Sequence, residues 1–346
     1  MGEFDRESWN KDPVVLVTHR IPEIRKIGRA RAGLIRLRGK RASSGERWLP
    51  ESGDTHECWR GSHPAVTRSL LMGLTALGNT VQFNPQEVRA RHVRVGCLAS
   101  PQAAAHLLTL RESGEVDRLL IGPNTHVSPL ECGPVEELLR ADAILCPSDW
   151  VVRFTQDLAG GAPLPLKVWA SGTDTEFWRP ADDLKKRTRV LLYVKTDSDS
   201  LVAKTLESLE SFGRDILTLV YGKHDRYAYR DALNQCSEVV YLGGGESQGL
   251  ALQEAWSMDC RTLVYLPESV EVRFPSQNPP MRLHRGQFSA APYLTSQCGN
   301  LWETQQQLAT LLNDGAAGEL RPRTWVLENM TLEHSARSYL QLLFGE

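Results

Sequence analysis

The sequence predicts an α/β protein made of two doubly wound domains. Its 346 residues exceed what one compact core holds, and they suggest two domains of about 150 residues each. Short apolar segments typical of buried parallel strands alternate with segments of helical spacing. The alternation stops once, over residues 164–188, which have little periodicity and a charged end. We therefore expect domains at 1–170 and 181–330, facing a cleft, with a last helix (331–346) packing back on the first.

The first series begins with a short buried-strand pattern and runs to the interruption. Strands are predicted at PVVLVT, TVQFN, VRVGCLA, RLLIGPN and AILCPS (residues 13–18, 80–84, 93–99, 118–124 and 143–148). Helical spacing marks residues 66–77, 101–113 and 134–140. Strands followed by helices of this length indicate a parallel sheet.

The second series has the same character and contains the most unusual motif of the chain. Strands are predicted at RVLLYVK, ILTLVYG, VVYL and RTLVYLP (residues 189–195, 216–222, 239–242 and 261–267), with helices at 201–212, near 227–236, at about 301–313 and at 331–344. The proline-containing residues 267–292 are interpreted as a long loop. In such sheets ligands bind at the carboxyl ends of the strands.

Composition excludes several classes of protein. Hydrophobic residues make up 41% and charged residues 24%, as in an ordinary soluble protein. No apolar run reaches the roughly 18 residues needed to span a membrane, and the first residues are polar, so no signal peptide is predicted. The seven cysteines are scattered without CxxC spacing, which favours a reducing, cytoplasmic location. His56, Cys58 and His63 match no common zinc pattern.

A strongly basic segment lies near the start of the chain. Residues 19–48 contain ten Arg or Lys and two Glu, whereas the chain as a whole has a net charge of −2. Several Ile and Leu residues recur at loosely helical spacing among the arginines. The segment is either a solvated insertion or a basic amphipathic helix that contacts a membrane surface or an anionic substrate. No aromatic residues are interleaved for nucleic-acid binding, so we expect no nucleic-acid partner.

The motif YLGGGESQGLALQEAW (241–256) follows a predicted strand and opens a predicted helix. A dinucleotide-binding fingerprint needs its third glycine at the position of Gln248, but the glycine comes one residue later, at Gly249. Glu268 would be the acid on the ribose in that interpretation, and it directly follows Pro267. The match to a dinucleotide site is therefore imperfect.

A sugar-nucleotide interpretation uses the two glutamates of the motif. If a helix begins near Gly249, its free N–H groups and positive dipole suit a diphosphate. Glu254 then lies about 7.5 Å along the helix, where a carboxylate accepts two ribose hydroxyls. Glu246, before the helix, is left beside the transferred sugar. Spacing alone does not decide between this interpretation and two glutamates that are merely solvated.

Other stretches make a family resemblance specific. Glu246–Ala255 resembles the E-x7-E signature of the retaining family 4 glycosyltransferases of GT-B fold. Further stretches resemble segments of that family in the right order, namely residues 59–85, ADAILCPSDWVVRFT (141–155), WASGTDTEFWRP (169–180) and APYL (291–294). The resemblance covers roughly residues 59–346.

The resemblance implies roles for individual residues. On the donor side it implies Glu246 beside the sugar, Glu254 at the ribose, and Ser247 with the amides of Gly249 and Leu250 at the diphosphate. On the acceptor side it implies His126 near the donor sugar and the acceptor, with Gly61 and Ser62 in the first-domain loop.

The basic residues depart from the family pattern. That pattern places an Arg and a Lys after the first strand of the second domain, whereas here Lys195 follows the strand and Lys204 comes too late. Lys223 or Arg226 is expected to take the second place. Asp197 and Asp199 are interpreted as a loop and helix cap rather than a metal-binding D-x-D motif. A GT-B enzyme stabilises the leaving diphosphate with a helix dipole and basic residues, so no metal or other cofactor is expected.

These observations predict a metal-independent, retaining glycosyltransferase (a hexosyltransferase) that uses a nucleoside-diphosphate sugar as donor. The expected acceptor is a saccharide or glycolipid, with peripheral membrane contact through residues 19–48 as a further expectation. Two alternatives stay open. One is an NAD-dependent oxidoreductase, and the other is a GT-B-like binding protein without turnover.

Overall fold

The computed structural model describes most of the chain from residue 13 onward. The described residues are 13–18, 23–26, 62–90, 92–123, 129–181, 188–196, 198–275, 281–286, 288–313 and 319–345. The chain divides into two compact units. Unit 1 contains the residues up to Gly172, residues 274–282 and the segment from Leu332; unit 2 contains the remainder.

Unit 1 is built on a six-stranded parallel sheet. Its strands are β1 (Val14–Val17), β3 (Val81–Phe83), β5 (Arg94–Cys97), β6 (Arg118–Ile121), β7 (Ala143–Cys146) and β8 (Leu166–Val168), in the order β3-β1-β5-β6-β7-β8. Its helices are α1 (Ser62–Ala76), α2 (Pro101–Glu112), α3 (Val135–Leu138), α4 (Asp149–Leu158) and the last helix, α10 (Leu332–Phe344). The alternation of apolar runs with helical segments therefore produces the predicted parallel sheet.

The last helix of the chain packs in the core of unit 1. Tyr339 is fully buried and its ring meets that of Trp169 edge to face, with centroids 5.3 Å apart. The Trp169 indole N–H donates to the Ser335 carbonyl at 3.0 Å. Gly73 of α1 lies against the backbone of Leu332, so a side chain there would clash with the helix. Both ends of unit 1 are thus joined in one core.

Unit 2 has a smaller sheet, which is also parallel. Its strands are β9 (Arg189–Val194), β10 (Ile216–Val220), β11 (Cys236–Leu242), β12 (Arg261–Tyr265) and β15 (Gly299–Trp302), in the order β10-β9-β11-β12-β15. Its helices are α5 (Asp199–Ser211), α6 (Arg226–Leu233), α7 (Leu250–Ser257), α8 (Gln305–Asn313) and α9 (Pro322–Asn329). The order reverses between β9 and β11, and ligands of doubly wound sheets bind at the carboxyl ends of strands at such a reversal.

Two predictions for unit 1 need correction. Within the basic segment, Glu23–Lys26 (β2) forms a strand that pairs in parallel with Glu87–Ala90 (β4), so these four residues are not helical. The remaining residues of 19–48 lie outside the described residues. The predicted interdomain stretch also begins with β8, which pairs with β7 and forms one edge of the sheet. At three and four residues, β8 and β2 are too short for their periodicity to stand out.

Two predictions for the later part of the chain also differ from the structure, and one helix was missed. Residues 267–292 are not one long loop, since β13 (Val270–Pro275) pairs with β14 (Met281–Gly286). The prolines of this stretch had favoured a loop over its alternating VEVRF pattern. The helix predicted from 301 begins only at Gln305, after the edge strand β15, and α9 was not predicted.

Within the described residues, no helix is long and apolar enough to cross a bilayer.

Candidate nucleotide-sugar site

Two charged side chains meet at the sheet reversal of unit 2. Lys195 directly follows β9, and Glu246 lies in the turn after β11, the neighbouring parallel strand. The Lys195 Nζ lies 2.7 Å from Oε1 and 2.9 Å from Oε2 of Glu246. The Glu246 side chain is 7% exposed and that of Lys195 is 32% exposed. Glu246 is therefore buried in the protein, whereas Lys195 keeps part of its contact with solvent.

Glu246 makes further hydrogen bonds through its carboxylate and through its backbone. The buried Tyr241 hydroxyl donates to Glu246 Oε1 at 2.8 Å. The Glu246 N–H donates to the Ser289 carbonyl at 2.9 Å. A carboxylate held by charge-assisted and neutral donors is fixed in orientation, which suits recognition of a hydroxyl-bearing ligand.

Helix α7 begins where the glycine of the motif predicts. Gly249 is its N-cap residue, with φ 83° and ψ 50°, in the left-handed region that favours glycine. Leu250 is the first helical residue. Among the described residues, no acceptor is found for the N–H groups of Gly249 and Leu250. This helix start can therefore bind an anion through its N–H groups and its dipole.

Glu254 lies in the second turn of α7, and its carboxylate has no hydrogen-bond partner among the described residues. The residue keeps part of its solvent contact, but desolvation by the surrounding protein raises the pKa of its carboxyl to about 8. A desolvated carboxylate without donors is costly in the free protein. A ligand with hydroxyl groups could supply the hydrogen bonds that this carboxylate lacks.

The raised pKa of Glu254 predicts that the free protein loses stability as the pH rises. The stability linked to this proton is complete below the ordinary carboxyl pKa of 4.5 and is lost as the pH rises through about 8. We expect Glu254→Gln to remove this component. Thermal melts at pH 5, 7 and 9 test it, with the exposed Glu210→Gln as control. An unchanged pH slope in the Glu254 variant would contradict it.

The other donor-side candidates lie around this centre with less definite contacts. Ser247 is half-buried between Glu246 and the helix start, whereas Lys223 is exposed in the loop after β10. Arg226, the alternative to Lys223, lies over the Phe177 ring at 3.4 Å from its centroid. Arg226 is therefore packed against the start of unit 2.

The remaining candidates lie in unit 1 or at the D-S-D motif. His126 and Gly61 lie outside the described residues, and Ser62 begins α1. Ser198 caps α5 by accepting from the Leu201 N–H, which confirms the cap, while Asp197 is not described. No group of three or more His, Cys, Asp or Glu side chains in the described ranges is arranged to hold a metal ion.

The glycine run before Glu246 has a packing role that the sequence did not reveal. None of Gly243–Gly245 has a positive φ, so their backbone conformation does not require glycine. A Cβ on Gly243 would lie 2.5 Å from the Tyr241 ring, and one on Gly245 would lie 3.2 Å from Phe288. The glycine run therefore lets the side chains of Tyr241 and Phe288 pack against the turn that carries Glu246. The one sequence signal for this contact was a tyrosine near the end of a predicted strand, shortly before a run of glycines.

Together the two sheets define a protein of GT-B fold, as comparison with solved structures shows. The outer core lipopolysaccharide galactosyltransferase WaaB, in its apo form, aligns over 96% of this chain and 99% of its own, with a TM-score of 0.54 and 10% identity. HepE from Anabaena, in complex with UDP and glucose, aligns over 97% and 100%, with a TM-score of 0.52 and 10% identity.

A third structure gives the same result. The UDP-forming α,α-trehalose-phosphate synthase of Burkholderia vietnamiensis aligns over 96% of this chain and 98% of its own, with a TM-score of 0.51 and 11% identity. At such identities the likeness establishes the fold. No protein-family model matches the sequence, and no curated protein is significantly similar to it.

Proposed function

We propose that the protein is a retaining glycosyltransferase that uses a nucleoside-diphosphate sugar, with the site arrangement of family 4. One observation carries the proposal. An ion-paired carboxylate (Glu246), an open helix start (Gly249) and a partnerless carboxylate (Glu254) follow one another at the sheet reversal of a GT-B unit. A sugar, a diphosphate and a ribose follow one another in the same order in a nucleoside-diphosphate sugar.

The donor is held by complementary charge. The diphosphate accepts from the Gly249 and Leu250 amides and is neutralised by the helix dipole and the solvent-reaching face of Lys195. Glu254 accepts the two ribose hydroxyls, which relieves its desolvation. Ser247 lies between sugar and diphosphate, and Lys223 supplies the second positive charge from the loop after β10.

Transfer with retention proceeds by front-side attack. The acceptor oxygen bonds to the anomeric carbon on the face from which the diphosphate leaves, as the bond between that carbon and the phosphate oxygen breaks. The departing phosphate oxygen receives the acceptor proton. Charge growing on the diphosphate is stabilised by the helix start and Lys195, so the chemistry needs no metal ion.

The acceptor is a saccharide or glycolipid, for which the family resemblance implies contacts with His126, Gly61 and Ser62. Structures of similar fold support a sugar substrate: one is an outer core lipopolysaccharide galactosyltransferase and another holds UDP and glucose. One of these structures holds UDP, and another is that of a UDP-forming enzyme. UDP-sugars are therefore the first donors to test.

A thermal-shift panel of UDP-, GDP-, ADP- and TDP-sugars, with NAD as control, tests the donor class. We expect one sugar nucleotide to raise the melting temperature because ligand binding to the folded state stabilises it. The responding donor is then supplied with candidate saccharides and assayed for release of its nucleoside diphosphate. Stabilisation by NAD without any response to sugar nucleotides would favour an oxidoreductase. Donor binding without transfer would favour a binding protein.

A further inference from the structure

We infer that Tyr241 is a positioning residue that holds the Glu246 carboxylate in the orientation needed to contact the donor sugar. The inference rests on the proposed function for the identity of the ligand. It concerns a contact that lies behind the ligand site, within unit 2. Tyr241 acts through Glu246 and does not itself contact the donor.

The contact is direct and buried. Tyr241 is 1% exposed, at the carboxyl end of β11. Its hydroxyl donates to Glu246 Oε1 at 2.8 Å, and Lys195 donates to the same oxygen. Burial raises the pKa of Tyr241 well above its ordinary value, so the hydroxyl keeps its proton and remains a donor. The carboxylate is therefore held from within the protein as well as by the lysine.

The surrounding residues hold the tyrosine in place. Its ring stacks on that of Tyr193, with centroids 5.2 Å apart and an angle of 6° between the planes. The Tyr193 hydroxyl lies 3.3 Å from Nε2 of His224. The ring also lies so close to Gly243 that a Cβ there would clash with it. The stacking on Tyr193 and the absence of a Cβ at Gly243 thus fix the position of the Tyr241 phenol.

This arrangement matters because Lys195 alone does not specify one rotamer for Glu246. A lysine on a flexible stem can follow a moving carboxylate, since its ammonium donates in several directions. A stacked tyrosine cannot follow it. The loss of the phenol hydroxyl should therefore affect recognition of the sugar more than recognition of the nucleoside diphosphate.

The test compares Tyr241→Phe with Tyr229→Phe. Tyr229 is a matched control because it is buried in the same aromatic group as Tyr241. Its hydroxyl donates to the Ala251 carbonyl at 2.8 Å and not to Glu246. Calorimetry measures the affinities for UDP-glucose and for UDP, or for the corresponding pair if the panel selects another base. Crystal structures of wild type and Tyr241→Phe locate the Glu246 carboxylate.

We expect Tyr241→Phe to weaken UDP-glucose binding about tenfold and to leave UDP binding within about twofold. The Tyr229 variant should keep the wild-type ratio of the two affinities. Gly243→Ala, which displaces the Tyr241 ring, should reproduce the selective loss. In the crystal structure of the Tyr241 variant, the carboxylate should have turned from its wild-type position.

An unchanged affinity ratio in a folded Tyr241→Phe variant, or an unmoved Glu246 carboxylate, would overturn the inference. If wild type binds no sugar nucleotide, the proposed function fails and the crystal structures alone decide. A moved carboxylate then still supports the positioning role, and an unmoved one rejects it.

Discussion

Glu246→Gln is expected to lower sugar transfer by about two to three orders of magnitude. The substitution removes the negative charge that the proposed function places beside the reacting sugar, and it leaves Lys195 without its charge partner. Because Glu246 is buried and accepts from Lys195 and Tyr241, we also expect the free energy of unfolding to fall by about 1–2 kcal/mol. The rate of nucleoside-diphosphate release with donor and acceptor present measures the first effect, and denaturant unfolding the second.

Glu268→Gln is the matched control for this variant. Glu268 is exposed and is the residue that a dinucleotide site would use for its ribose. Its replacement should leave transfer and stability unchanged. Full activity in Glu246→Gln together with loss of activity in Glu268→Gln would reject the sugar-nucleotide assignment and favour a dinucleotide site.

Glu254→Gln is expected to reduce the affinity for the nucleoside diphosphate, with or without its sugar, by about tenfold to a hundredfold. An amide has one acceptor oxygen and an NH2 group that only donates, so it cannot accept from two ribose hydroxyls through two oxygens as a carboxylate does. The same variant should melt at a higher temperature than wild type at pH 9, since it no longer holds a desolvated charge without a partner. Weaker binding and greater stability are thus expected from a single substitution.

Calorimetry with UDP and a melting curve without ligand measure these two effects. Glu210→Gln, on the exposed side of α5, removes a glutamate charge without touching the site and should change neither. A Glu254 variant with wild-type affinity for UDP would place the ribose elsewhere. A variant less stable than wild type at high pH would mean that the carboxylate has stabilising partners in the protein.

Much of unit 2 was predictable from local patterns. The apolar residues before the motif predict β11, and Gly249 predicts the start of α7, because only glycine adopts its backbone conformation without strain. Glu254 could be placed from the rise of a helix alone. These features depend on residues within one turn or one strand of each other, where periodicity and capping are informative.

Other features required the folded chain. The family resemblance implied a contact between Lys195 and the donor diphosphate, and the structure also pairs Lys195 with Glu246, 51 residues away. The prolines of residues 267–292 favoured a loop and concealed the pairing of β13 with β14. The contact between Gly243 and the Tyr241 ring could not be predicted either, because a glycine run is equally typical of an ordinary turn.

The sequence by itself thus determined the alternation of strands and helices, the helix start at Gly249 and the two glutamates that flank it. The tertiary structure decided which of these groups act together. The reason is that side-chain periodicity encodes the burial of each element, whereas the neighbours of a strand depend on the order of the whole sheet. In unit 2 that order places β9 beside β11 and so brings Lys195, Tyr241 and Glu246 into contact.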